Sequence, residues 1–282
     1  MILFPTIKGF DCLNQGFQHY VNNDLHLNGW QTENLGESST VGMDMYGLHR
    51  DLSSGKPVIF LLSSVHGNEW QGVFWSRKFC EWISDPSIAQ AEVKHIFQYL
   101  REKYAWYWIP IANPYGYENL TRLNENGINI SVDFEHKTQN ETNIIINKFL
   151  GLKPSCAVDS HTWDDAQHTP SYTMATYKDG YRDRSFHRQL IKNVIKSLQV
   201  ILGDKVIEYW YTAHGGTRFR SWAGEQKGID GEYCISWLTE CDRTASNIIQ
   251  TKEGINALVM FFLQFDAFRT KSIHNPFLSD IL

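Results

Sequence analysis

The stretch VHGNEW, residues 65–70, sets His66 three positions before Glu69, around Gly67 and directly after the apolar run PVIFLL. An imidazole and a carboxylate at that spacing can converge on one divalent cation if the backbone between them turns tightly, and Gly67 permits such a turn. The same pair would also serve as a plain polar loop over a buried strand. A third candidate ligand, His161, closes the run CAVDSH far along the chain, so only the fold can unite the three. Two histidines and a carboxylate hold a borderline divalent ion and leave positions open for water and substrate, a set that suits zinc and also non-haem iron. The helical zinc-protease pattern HExxH does not occur.

Elements must be found that bring these residues together. PVIFLL (57–62) and CAVDS (156–160) read as buried strands, as do WYWIPIA (106–112) and YCISWLTE (233–240), while residues 40–49 alternate enough to suggest another. Apolar residues at 70, 73, 74, 79, 82 and 83 recur at helical spacing, as do those at 255, 258, 261, 262 and 265. Further helices are expected over about 89–103, 140–150 and 181–202 by the same reading. NPYG after the third strand reads as a turn. Strands alternating with helices predict an α/β fold, a mixed central β-sheet with helices on both faces. In such sheets ligands bind beyond strand ends, and His66, Glu69, His161, Arg122 and Glu240 all fall at such positions.

The 282 residues, 42% of them apolar, suit one substantial core, and 1–282 is read as a single catalytic domain. A net charge of −5 leaves no basic footprint for nucleic acid. The start MILFPTIKGFDC lacks the n- and h-regions of a secretory signal, and the longest strongly apolar stretch, ALVMFFLQF, is too short to span a bilayer. Five cysteines without CxxC spacing argue against a disulfide framework or a thiolate zinc knuckle. A cytoplasmic location and no membrane partner are therefore expected.

Five segments, HGNE, NPYGYENLTRLNENG, DSH, YTAHGG and LTEC, follow the order and rough spacing of motifs in the zinc-carboxypeptidase superfamily. The chain resembles its short, insertion-free bacterial and phage members and the related N-acyl amino acid deacylases. That resemblance implies one zinc per chain on His66, Glu69 and His161. It implies Glu240 as the group that activates the attacking water and protonates the leaving amine, and Arg122 as the stabiliser of the oxyanion. Tyr211 resembles the family's mobile tyrosine that closes over substrate. The chemistry is coherent: zinc acidifies water and polarises a carbonyl, a neighbouring carboxylate shuttles protons, and a fixed cation meets the developing negative charge.

The pattern breaks after the arginine. Where the family usually continues G-V-D-L-N-R-N-F, this chain reads GINISVDF from Gly127 to Phe134. In ungapped register, Asn129 replaces the aspartate that orients a zinc-bound histidine. Ser131 and Val132 then replace the pair that grips a substrate carboxylate, leaving Ser131 as a substrate-contact candidate. A slipped register would instead make Asp133 the orienting aspartate and put Glu135 and His136 at the clamp; the ungapped one fits the preceding motif throughout. Valine cannot donate to a carboxylate, so the missing cation is expected from GGTRFRSW, from Arg218 ahead of Arg220. The expected function is zinc-dependent amide hydrolysis, metallocarboxypeptidase-like, with an atypical carboxylate subsite. Small peptides, cell-wall peptides and N-acyl amino acids are the candidate substrates. An N-acyl amino acid deacylase and a zinc-retaining binding protein without turnover are the alternatives.

Overall fold

A computed structural model of the chain describes residues 14–91, 93–163, 172–176, 185–202, 206–208, 218–242 and 247–269. Its centre is β3 (Val58–Ser63), buried at every position. Alternate side chains of β3 go to opposite faces: Ile59 and Leu61 join one core cluster, Val58, Phe60 and Leu62 the other. A strand buried on both faces has no polar side to show, which is why it reads as an unbroken apolar run. β4 (Ala105–Ile109) divides likewise, with Trp106 and Trp108 on the first face and Ala105, Tyr107 and Ile109 on the second.

Among the described residues, eight strands form one mixed sheet in the order β1-β2-β4-β3-β5-β8-β6-β7. The remaining strands are β1 (Gln31–Glu37), β2 (Asp44–Arg50), β5 (Cys156–Trp163), β6 (Tyr172–Thr176), β7 (Val206–Glu208) and β8 (Ile235–Asp242). β3 runs parallel to both β4 and β5, and β5 runs parallel to β8. The helices α2 (Gln71–Ser84), α3 (Lys94–Lys103) and α8 (Asn247–Arg269) cover one face. α5 (Asn140–Leu152) and α7 (Phe219–Gly224) cover the other. The crossover from β3 to β4 thus uses helices on one face, and that from β4 to β5 uses the helix on the opposite face. β3 lies between the strands they reach. This is a topological switch point, and the crevice beyond the strand ends there is where an open α/β sheet binds its ligand.

The strands and helices expected over 57–62, 106–112, 156–160, 233–240 and 140–150, and the helix expected around 255–265, are present within a few residues. Of the helix expected over 181–202, Ser185–Leu202 (α6) is described. Other elements differ. NPYG is not a free turn but opens α4 (Pro114–Asn119), with Asn113 as N-cap accepting from the Gly116 amide and proline in the first turn, where no backbone donor is needed. The helix expected from 89 begins at Lys94, after a 3-10 turn over Pro86–Ile88. β1 is an edge strand without a single buried residue, so it carries no apolar alternation to detect. Residues 14–30 include the short turn α1 (Phe17–His19) and pack on α4, where Asn14 Nδ2 donates to the Tyr117 carbonyl at 2.9 Å and Tyr20 meets Tyr117 edge-on.

Candidate functional site

His66 and Glu69 lie between β3 and α2. The chain leaves the strand through Ser64, whose φ of 53° puts it in the left-handed region. Gly67 is needed for a different reason from the tight turn expected of it. A β-carbon there would collide with the backbone of Gly116 in α4. The close approach is locked by the Asn68 amide donating to the Thr121 carbonyl at 3.1 Å and the Thr121 amide donating to the Gly116 carbonyl at 2.9 Å. The metal loop and the segment carrying Arg122 therefore form one rigid piece. A hydroxyl ladder beneath it, Ser63 to Ser76 at 3.1 Å and Ser76 to Ser160 at 3.3 Å, ties α2 to β3 and β5.

His161 lies on β5, and strand pairing sets its neighbour. Its register partner on the parallel strand β8 is Glu240. Residues paired this way project to the same face, so the sheet alone holds the His161 and Glu240 side chains adjacent.

The fold brings His66, Glu69 and His161 into one buried cluster. Glu69 Oε1 is 2.7 Å from His66 Nδ1, Glu69 Oε2 is 2.7 Å from His161 Nδ1, and the two Nδ1 atoms are 3.1 Å apart. Two ligands each about 2.0–2.2 Å from one ion stand no more than about 4.4 Å apart, and all three separations meet that limit. The donor set, two imidazole nitrogens and a carboxylate, is that of a hydrolytic zinc site. Arg122 extends over the cluster, with Nη1 donating to Glu69 Oε1 at 2.9 Å and about half of its side chain exposed.

The electrostatics fit a cation site. Burial alone would raise the Glu69 carboxyl, but His66 and His161 beside it hold it well below the usual carboxylate range. Burial disfavours charge on His161, yet Asp159 and Glu69 raise it to about 10. Burial lowers His66. A metal held by His161 would have to displace a proton from it, so its affinity would weaken as pH falls. Burial and then the Glu69 charge push Glu240 up to about 7, against the pull of His161, Arg220 and Arg122. A carboxyl poised there can take and return a proton near neutrality.

Asn129 stands where the ungapped register puts it: its Oδ1 is 3.1 Å from His66 Nε2. Asp133, the slipped-register alternative, instead accepts from the Thr138 and Gln139 amides and stabilises a turn. Ser131 is almost wholly buried, its amide bound to Asn129 Oδ1 at 3.0 Å. Arg218 is the partly exposed N-cap of α7, whereas Arg220 is 4% exposed and close enough to act on Glu240. Tyr211 lies outside the described residues. Sequence reasoning missed Asp159, whose Oδ2 is 3.0 Å from His161 Nε2. Its trace was the DSH spelling, because residues two apart on a strand share a face.

Residues 31–219 match the profile of the family described as zinc carboxypeptidase. The chain belongs to the zinc carboxypeptidase family. Comparison with curated proteins returned no match. Solved carboxypeptidases share the fold. A metallo-carboxypeptidase from Burkholderia cenocepacia superposes with a TM-score of 0.70 at 15% identity, over 89% of this chain and 68% of that one. Carboxypeptidase A from Helicoverpa armigera gives 0.64 at 13% identity, over 92% and 72%. A Pseudomonas aeruginosa metallo-carboxypeptidase, in complex with (2-guanidinoethylmercapto)succinic acid, gives 0.64 at 16% identity, over 89% and 68%. This zinc carboxypeptidase is a zinc-dependent hydrolase of amide bonds, and the alternative of a binding protein without turnover is not needed. No helix among its described residues is long and apolar enough to cross a membrane.

Proposed function

We propose that the protein cleaves the amide bond of small peptides or N-acyl amino acids carrying an acidic group on the leaving side. The observation that carries this reading is the register pairing of Glu240 with His161 beside the ligand cluster. His66, Glu69 and His161 would hold one zinc, which when bound polarises the scissile carbonyl and acidifies water. Glu240 takes the proton of the attacking water and passes it to the departing amine. Arg122, poised over Glu69, faces the carbonyl oxygen as negative charge develops. To Tyr211 we assign, from the motif resemblance alone, the closing role of the family's mobile tyrosine. The buried thiols Cys80, Cys156, Cys234 and Cys241 suit a reducing, cytoplasmic-type compartment. That the described strands make one sheet supports a single catalytic unit.

Substrate choice is assigned to the α7 arginines. Ser131 is too buried to offer more than cleft floor, and Val132 has no donor. The burial of Arg220 beside Glu240 places its guanidinium where water screens it least. Arg218, at the helix start, is the outer contact. A charge-assisted hydrogen bond is worth about 1.5–3 kcal/mol, or about one to two decades in kcat/KM. Wild-type enzyme should therefore prefer acidic over matched neutral leaving groups. Arg220→Ala should erase most of that preference, and Arg218→Ala a smaller part. The check is kcat/KM for paired substrates in all three proteins. An acidic-to-neutral ratio unchanged in both variants would remove the arginines from substrate recognition.

A further inference from the structure

We propose that Asp159 is the positioning residue of this metal centre, carrying at His161 the orienting negative charge that Asn129 lacks at His66. The inference rests on the His66–Glu69–His161 reading of the metal site. The two ligand imidazoles have unlike partners on their outer nitrogens. His66 Nε2 faces Asn129 Oδ1 at 3.1 Å, and the same oxygen accepts the Ser131 amide at 3.0 Å. A backbone amide only donates, so the atom turned to His66 is the carboxamide oxygen. His66 Nε2 must then carry the hydrogen, which leaves the lone pair on Nδ1. This fixes the tautomer but adds no charge.

At His161 the partner is a carboxylate, with Asp159 Oδ2 3.0 Å from Nε2. The pair stands at ion-pair distance without an aligned hydrogen bond at Nε2; an ionised carboxylate there favours the tautomer with its hydrogen on Nε2, and Nδ1 faces Glu69 and His66. The surroundings make this charge expensive to keep. Asp159 is 1% exposed and lies in register between Leu62 of β3 and Leu238 of β8, both buried. Its Oδ1 has no hydrogen-bond partner among the described residues, where His161 is its one ion-pair partner. A neutral side chain of similar volume would avoid that desolvation cost and pack between the leucines. The charge acts instead through His161: a carboxylate on the outer nitrogen fixes the ring and strengthens the inner nitrogen as a donor to metal. Strand geometry makes the link stiff, because Asp159 and His161 are alternate residues of one strand whose neighbours pair on both sides at Asp159.

Zinc affinity, measured by competition with a chromophoric chelator, separates this role from plain packing. Asp159→Asn keeps the shape and should weaken zinc binding by about 10–100-fold. Asn129→Ala should cost less. Adding Asn129→Asp to Asp159→Asn should recover part of the affinity, since the charge returns to the other imidazole. Affinity within about threefold of wild type in Asp159→Asn would overturn the proposal. So would a loss that Asn129→Asp does nothing to restore, because a merely structural carboxylate is not replaced from the far side of the site. If Asp159→Asn fails to fold, ¹⁵N-histidine spectra of the zinc-loaded wild type decide: a protonated His161 Nε2 is expected, and an unprotonated one overturns the assignment. A wild-type chain that binds no zinc overturns this inference together with the metal site, whereas intact wild-type affinity with an unaffected Asp159→Asn overturns the inference alone.

Discussion

Glu240→Gln is expected to lower kcat by about 10²–10⁴ while leaving zinc content and folding close to wild type. The amide keeps the shape of the side chain beside His161 but cannot accept a proton from water. As the proposed base, Glu240 stands outside the candidate ligand cluster, so the loss should fall on kcat and kcat/KM together. The wild-type pH profile should show the same group. The carboxyl must be ionised to act as base, so kcat/KM rises with pH through its pKa. That value stands at about 7 without metal, and a bound dication lowers it, so the acid limb should have its midpoint below 7. The glutamine variant should lack that limb in whatever rate remains. Activity within threefold of wild type would point to a different base.

His161→Ala should lose nearly all bound zinc after dialysis, and with it all hydrolysis. The substitution removes one of three ligands and also leaves Asp159 and Glu69 buried without the imidazole between them. The apoprotein should therefore be less stable than wild-type apoprotein, since a buried charge without its partner is strongly destabilising. Elemental analysis and thermal melts of both metal-free and zinc-loaded forms separate the two effects. Zinc should raise the melting temperature of the wild type and not of the variant, because a ligand that binds only the folded state stabilises it by mass action. Stoichiometric zinc in the variant would take His161 out of the site.

Most of the central fold was legible because its physics is local. β3 and β5 are apolar runs closed by chemistry-bearing residues, and α2 shows its helical period; α8 is buried on every side from Glu253 to Asp266, so the length of its apolar run marks it rather than a period. The His66–Glu69–His161 cluster was legible through HGNE and DSH, whose positions at strand ends acquire meaning once a parallel sheet is assumed. What escaped was set by tertiary context. β1 lies on an edge with no fully buried residue, so hydrophobic pattern says little of it. The demand on Gly67 comes from Gly116, a residue far along the chain, and not from its own backbone angle. The burial of Arg220 against the partial exposure of Arg218 was not legible in the motif, because it depends on which way the first turn of α7 faces. Asp159 was passed over because a lone aspartate in a strand carries no meaning until its neighbour is known to be a ligand.

The central claim is that one zinc on His66, Glu69 and His161 makes this chain an amide hydrolase. Titrating zinc into chelator-stripped wild-type protein while following hydrolysis of a peptide or N-acyl amino acid tests it most directly. Activity should be absent at the start, climb in proportion to added zinc and level off at one equivalent per chain. Activity that persists without metal, or that never appears at one full equivalent of bound zinc across peptide, cell-wall and N-acyl substrates, would contradict it.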